Sequence, residues 1–159
     1  MFGWFKPKRR AVPRLLVADD PAPLDKRIEF SADGEGRWAG MGNYVLVSPD
    51  KQQEIALRYV GEPPHGDSFH ELTLGEARLP GYVWGCIFAF SADSRFCAAS
   101  WMAKLFERRT IVIDVTGRRY FVLPVYIHDF AFHWPTLTGV RASTGLRFEF
   151  DGTEVWTAF

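Results

Sequence analysis

Residues 65–71, HGDSFHE, hold the densest group of side chains able to bind a metal ion. Imidazole and carboxylate groups bind zinc or iron when three of them converge. The spacing of His65, Asp67 and His70 matches no specific metal site, and half of the segment lies in a Pro- and Gly-rich loop, where polar residues are common. We therefore predict no metal and no cofactor, and keep a small metal-dependent enzyme using these residues as an alternative.

Residues 128–134, HDFAFHW, hold the second candidate for catalysis. On a β-strand, Asp129 and His133 point to the same side but lie about 13 Å apart along the strand. An acid–base pair between them would need a bulge. The segment from His128 to His133 is therefore a second possible centre for the alternative enzyme function.

Motifs for nucleophilic catalysis and for phosphate binding are missing from the sequence. No Gly-x-Ser-x-Gly occurs, and neither a Walker-type motif nor a dinucleotide fingerprint is found. Cys86 and Cys97 lie in apolar runs, where a thiol is usually inert, and are expected to be buried and reduced. Residues 118–121, RRYF, could stack a single-stranded nucleic acid but are more typical of a solvated strand edge. The sequence favours a protein that is not an enzyme.

Charge is unevenly distributed along the chain, although the formal net charge is zero. Residues 1–14 contain five basic side chains and no acidic one. Subtracting those five from the nineteen basic residues leaves fourteen, against nineteen acidic residues, from residue 15 onward. Such an acidic body argues against nucleic-acid binding, because that binding relies on Lys and Arg displacing counterions. It suits a basic protein partner, which its field would attract.

Two kinds of side chain are predicted to contact this partner. Carboxylates would pair with basic groups, and large aromatic side chains would anchor the contact, since aromatic residues dominate binding hot spots. The predicted contact residues are Asp67, Glu71, Trp101, Phe106, Glu107 and Trp134.

The composition predicts an all-β protein. The chain has 159 residues, of which 47% are hydrophobic and 16% aromatic, and its ten prolines and fourteen glycines supply many turns. We predict a flexible, basic, Pro-rich head at residues 1–25 and one antiparallel β domain at residues 26–159. No apolar stretch is long enough for a membrane span, and no secretory signal is recognisable, which indicates a cytoplasmic protein.

Local patterns place several elements. Residues 111–113, IVI, are apolar on both faces, which predicts a central strand. Asp151-Gly152 favours a type I′ turn and predicts a hairpin between residues 146–150 and 153–159. Residues 102–109 are the one candidate for a short helix, with a hairpin loop as the alternative.

A near-repeat carries a resemblance to a known architecture. Residues 89–93, AFSAD, repeat the EFSAD of residues 29–33. Residues 90–100, FSADSRFCAAS, followed by residues 110–117, TIVIDVTG, resemble a blade of a WD40-like or TolB-type β-propeller. The resemblance implies blade-like hairpins. A closed propeller needs about four blades or more, and this chain has room for about three, so we expect an open or sandwich-like sheet.

The size, the acidic body and the lack of a catalytic motif are similar to those of bacterial immunity proteins that neutralise a toxin. The resemblance implies a non-catalytic protein that occludes the basic cleft of a toxin domain. A third hypothesis is a structural β subunit, in which exposed sheet edges are completed by homo-oligomerisation.

Overall fold

A computed structural model describes residues 26–159, apart from the side chains at Gly85 and Cys86. The head predicted for residues 1–25 lies outside the described part. Fourteen strands and one short 3-10 helix are present in that part. The strands are β1 Lys26–Glu29, β2 Arg37–Trp38, β3 Tyr44–Val47, β4 Glu54–Gly61, β5 Phe69–Leu74, β6 Ala77–Arg78, β7 Tyr82–Phe90, β8 Phe96–Met102, β9 Arg109–Asp114, β10 Arg119–Val122, β11 Phe130–His133, β12 Thr136–Gly139, β13 Arg147–Glu149 and β14 Thr157–Ala158, and the 3-10 helix is Arg141–Ser143.

The strands form two sheets. The large sheet has eleven strands and runs β1-β3-β4-β5-β7-β8-β9-β10-β14, with β2 paired to β7 and β6 paired to β5. The small sheet is β11-β12-β13. The prediction of an open all-β domain is confirmed, and residues 26–159 form neither a closed barrel nor a closed propeller. One pairing is not antiparallel, because β1 lies parallel to β3.

Strand β9 separates two hydrophobic cores, because its side chains point alternately to the two faces of the large sheet. Ile111 and Ile113 belong to the first core, and Val112 belongs to the second, which includes side chains of the small sheet. All three are fully buried, which confirms the prediction of a central strand. Ile28 of β1 and Phe159 after β14 both pack against the first core, so the large sheet curves around it.

Two turns of the large sheet have the same hydrogen bonds, 43 residues apart. In each, the hydroxyl of Ser48 or Ser91 donates a hydrogen bond of 2.6 Å to the carboxylate two residues ahead. The same hydroxyl accepts a hydrogen bond of 3.0 Å from the backbone amide five residues ahead. The two turns also touch, since the Asp50 amide donates to the Ser94 hydroxyl at 2.9 Å. The hairpin expected at residues 90–93 is therefore present, as the β7–β8 connection.

The earlier copy of the repeat does not form a hairpin. The Ser31 hydroxyl donates to Asp33 at 2.7 Å, as in the other turns. The chain, however, leads from β1 into β2, and β2 pairs with β7 instead of returning along β1. The structural equivalent of the β7–β8 turn is the β3–β4 turn at Ser48, although the sequence of that turn is not a copy of the repeat.

The hairpin predicted at Asp151-Gly152 is wrong. The Glu154 carboxylate accepts the amides of Asp151 and Gly152 at 2.8 and 3.0 Å, so a local turn does form. The two flanking strands nevertheless pair elsewhere: β13 pairs with β12 of the small sheet, and β14 pairs with β10 of the large one. Between them, Trp156 packs against the second core. The two strands on either side of this turn therefore belong to different sheets.

Residues 103–108 form the loop between β8 and β9, so the hairpin-loop alternative holds for residues 102–109 and the helix does not form. Within residues 26–159, no helix has the length and apolar character needed to cross a bilayer.

Candidate functional site

Two loops meet at one end of the large sheet because of the strand order. Residues 62–68 connect β4 to β5, and residues 103–108 connect β8 to β9. Strand β7 lies between β5 and β8, and pairs Trp84 with Phe69 of β5. The loops border an open depression of about 370 Å³, which we call the loop pocket. It is lined by Pro63, Pro64, His65, Gly66, Trp84, Phe106 and Arg108.

Two large apolar side chains stand exposed beside the loop pocket. Leu105 and Phe106 have 53% and 58% of their surface accessible to solvent. The backbone of Phe106 has a φ of 70°, in the left-handed region that bulky residues rarely adopt. Its amide donates to the sulfur of the buried Met102 at 3.2 Å, which ties the loop to the end of β8. The loop therefore has a defined shape that leaves both side chains in solvent.

Arg108 and Trp84 form the wall of the loop pocket below these side chains. The Arg108 guanidinium carbon lies 4.3 Å from the centre of the Trp84 ring, a cation–π contact. Within residues 26–159, Arg108 has no carboxylate at ion-pair distance, and the buried indole nitrogen of Trp84 has no hydrogen-bond partner. The wall thus presents a positive charge next to apolar surface.

Three of the predicted contact residues lie in these two loops. Asp67 is exposed in residues 62–68, and Phe106 and Glu107 belong to residues 103–108. The Glu107 carboxylate pairs with Arg109 at 2.9 Å. Glu71 lies further along β5 and pairs with Arg78 at 2.7 Å.

The other two predicted contact residues do not belong to this surface. Trp134 is partly exposed, but its ring stacks on Phe96 at 4.0 Å, and Phe96 begins β8 at the end opposite the loop pocket. Trp101 is a predicted contact residue, but only 6% of its surface is accessible, so it is not available to a partner at this surface. Its ring packs in the first core and its nitrogen donates to the Pro80 carbonyl at 2.7 Å.

Sequence reasoning missed Trp84 and Leu105. Trp84 lies in an apolar run, and only the strand pairing shows that it faces the two loops. Leu105 had a recognisable signal: it precedes Phe106 inside a segment of charged residues that connects two β-rich runs. Two adjacent large apolar residues in such a loop are unlikely to be buried together.

The metal-binding residues proposed for the alternative enzyme do not converge. His65 is exposed at the loop pocket, whereas His70 is buried in β5. The Nε2 atom of His70 lies 3.0 Å from the Gly42 carbonyl, and burial lowers the pKa of His70 to about 4. No group of three potential metal ligands comes together anywhere in the described residues.

The second catalytic candidate is also divided among different contacts. The Asp129 carboxylate is buried and forms a two-point ion pair with Arg141, with one contact of 2.7 Å. His133 contacts the Asp33 carbonyl at 3.0 Å, and His128 contacts the Tyr126 hydroxyl at 3.2 Å. These contacts hold the three side chains apart, and no acid–base pair forms between Asp129 and His133.

Comparison with models of known protein families, with curated proteins and with solved structures gives no match for this chain. The resemblances to propeller blades and to immunity proteins therefore remain predictions. A function for the chain has to be inferred from its own residues.

Proposed function

We propose that this chain is a non-catalytic protein-binding module that contacts its partner through the loop pocket and the adjacent Leu105 and Phe106. The observation that carries the proposal is the exposure of these two neighbouring side chains, each more than half accessible, beside a pocket lined by apolar groups and Arg108. Exposed apolar surface next to a polar rim is typical of protein interaction sites.

The composition of the surface supports a protein partner. Trp and Arg are the residue types most enriched in binding hot spots, and such residues act in pockets from which water is excluded. The loop pocket has Arg108 in its wall and Phe106 at its rim, and Arg108 rests on the ring of Trp84, which is 4% exposed. A partner side chain inserted there would bury apolar surface on several sides, which favours binding by about 25 cal/mol for each Å² removed from water.

More specifically, we propose that the partner is a toxin and that this chain is a cytoplasmic immunity protein acting by occlusion. Asp67 offers an exposed carboxylate in residues 62–68, one of the two loops that border the loop pocket. The ion pairs of Glu71 and Glu107 involve partly exposed side chains. Such pairs contribute only about 0–1 kcal/mol, so both carboxylates can exchange their present partners for basic groups of a toxin at little cost.

The test starts from quantitative affinity capture in the native host, followed by measurement of binding between the purified proteins. Phe106→Ala is expected to weaken the affinity for the captured partner at least about tenfold, as for a central hot-spot residue. Val155→Ala is the matched control, because Val155 is 86% exposed and lies outside both loops. Equal affinities of the two variants would contradict the proposed surface, and the absence of any stoichiometric partner would contradict protein binding.

The immunity proposal has its own test. The captured partner, expressed alone, should be toxic to the host, and co-expression of this chain should restore growth, less effectively with Phe106→Ala. A partner that is harmless when expressed alone would exclude immunity while leaving the binding surface intact.

The two alternative functions gain no supporting observation within residues 26–159. A stoichiometric metal in the purified protein that is lost in His65→Ala would favour the enzyme. A solution mass above that of one chain at micromolar concentration would favour the structural β subunit. Either result would replace the proposal made above.

A further inference from the structure

Two arginines share one buried carboxylate at the end of β8 and β9 opposite the loop pocket. Arg95 Nη2 lies 3.2 Å, and Arg119 Nε 2.9 Å, from Oδ2 of Asp114. The amide of Gly117 donates to Oδ1 at 2.9 Å. Burial alone would raise the pKa of Asp114, but the hydrogen bonds from Arg95, Gly117 and Arg119 outweigh it and hold the pKa below its ordinary value. Asp114 is therefore ionised at neutral pH and fixes both guanidinium groups.

Aromatic rings support both guanidinium groups. The Arg95 guanidinium carbon lies 4.9 Å from the centre of the Phe96 ring, and that of Arg119 lies 5.1 Å from the centre of the Trp156 ring. A guanidinium that is stacked and paired loses less conformational freedom when it binds a ligand than a free surface side chain does. The pair is thus held in place before any ligand arrives.

Both arginines have donor groups to spare. Each guanidinium carries five N–H groups, and within residues 26–159 Asp114 is the only carboxylate at ion-pair distance from either one. The two side chains remain 50% and 40% exposed. They line a cleft of about 580 Å³, together with Asp93, Asp114, Thr116 and Gly117.

The second carboxylate in this cleft belongs to the exposed Asp93, which holds the β7–β8 turn through its Oδ1 atom. Asp93 accepts the Ser91 hydroxyl at 2.6 Å and the Arg95 amide at 3.1 Å, within the β7–β8 turn. It therefore acts in the turn and has no ion pair with either guanidinium. Two guanidinium groups and the Asp93 carboxylate face the cleft, and the Asp114 carboxylate that the guanidinium groups contact is buried beneath them.

We propose that Arg95 and Arg119 form a binding site for an oxyanion, a phosphate or carboxylate group, carried by a small organic ligand. The fork of donors on a guanidinium matches both groups by paired hydrogen bonds. A second cavity of about 270 Å³ is lined by both arginines, by the rings of Phe96, Trp134 and Trp156, and by Gly152 and Glu154. The Glu154 carboxylate accepts hydrogen bonds from the amides of Asp151 and Gly152. The apolar part of the ligand would occupy this second cavity. The site is separate from the loop pocket, and its test does not depend on any protein partner.

The experiment follows the arginine Nε–H resonances by NMR while inorganic phosphate, phenyl phosphate or benzoate is added at constant ionic strength. Saturable shifts are expected for Arg95 and Arg119, and not for the exposed Arg147, which is paired with Glu149. Phosphate and benzoate distinguish the two sources of the oxyanion. Phenyl phosphate is expected to bind more tightly than inorganic phosphate; equal affinity would overturn the assignment of the second cavity.

Substitutions separate a ligand site from a purely structural ion pair. Arg119→Lys keeps a positive charge beside Asp114 but removes the fork of donors, so the fold is retained while oxyanion affinity falls about tenfold. Arg95→Lys is expected to behave in the same way, and Arg147→Lys is the matched control, with unchanged affinity. Shifts that match those caused by chloride, or equal affinity in Arg119→Lys and the unmodified protein, would overturn the site.

Discussion

Replacing the three serines of the Ser-x-Asp turns by alanine is expected to destabilise the protein to different degrees. All three hydroxyls donate to an aspartate two residues ahead, so their sequences suggest one role. They differ in what they accept. The Ser91 hydroxyl accepts a hydrogen bond from the amide of the buried Phe96, and the Ser48 hydroxyl accepts one from the amide of the half-buried Gln53. No amide donates to the exposed Ser31 in the described contacts.

The magnitudes follow from the amide that each substitution leaves without a partner. A buried polar group without a hydrogen bond costs about 1–3 kcal/mol, whereas an amide that water can reach costs less. We therefore expect Ser91→Ala to lower the free energy of unfolding by about 2 kcal/mol and Ser48→Ala by about 1 kcal/mol. Ser31→Ala, at an exposed position, is expected to change it by less than about 0.5 kcal/mol.

Urea denaturation measured on the three variants in parallel provides the assay. A common slope of unfolding free energy against urea makes the midpoints directly comparable. Equal losses in all three variants would show that the serine–aspartate contact, and not the amide, determines stability. A larger loss for Ser31→Ala than for Ser91→Ala would refute the reasoning altogether.

Two further predictions concern buried groups. The pKa of His70 is about 4 in the folded protein, so the unfolded state binds the proton first and the free energy of unfolding falls by about 2 kcal/mol between pH 6.5 and 5. His70→Gln is expected to remove this fall, measured by urea denaturation across that range. An unchanged dependence of the unfolding free energy on pH in the variant would contradict the prediction. Gly34→Ala is expected to lower the free energy of unfolding more than Gly145→Ala in the same assay. Both glycines have positive φ, but a Cβ at Gly34 would lie 2.4 Å from the Phe132 carbonyl oxygen, whereas a Cβ at Gly145 would have no atom within 4 Å. Equal losses would show that backbone strain alone is responsible.

The sequence allowed the fold class to be predicted because that class depends on local patterns. The strand at residues 111–113 has apolar side chains on both of its faces, whatever its position in the sheet. The turn at Ser91 is made by residues within six positions of one another. The hairpin at Asp151-Gly152 could not be judged in this way. Its flanking strands pair with β12 and β10, which lie outside the segment.

The candidate site was predicted only in pieces. Asp67 and Phe106 are each recognisable in polar loops, but the meeting of the two loops depends on the order β4-β5-β7-β8, which no local pattern reveals. Trp101 shows the opposite error. It lies next to the exposed loop in sequence, yet its place in β8 directs it into the first core.

The position of β8 and β9 inside the large sheet has a consequence for how the loop pocket meets a partner. Both strands are hydrogen-bonded on each side, whereas β1 and β14 are the outer strands of that sheet. Backbone amides in β8 and β9 should thus exchange with solvent deuterium only through global opening, and those at the edges through local fraying. The loop carrying Leu105 and Phe106 is held at both ends by this slowly exchanging part. Ordering it on binding therefore costs little entropy, and more of the contact energy is left for affinity.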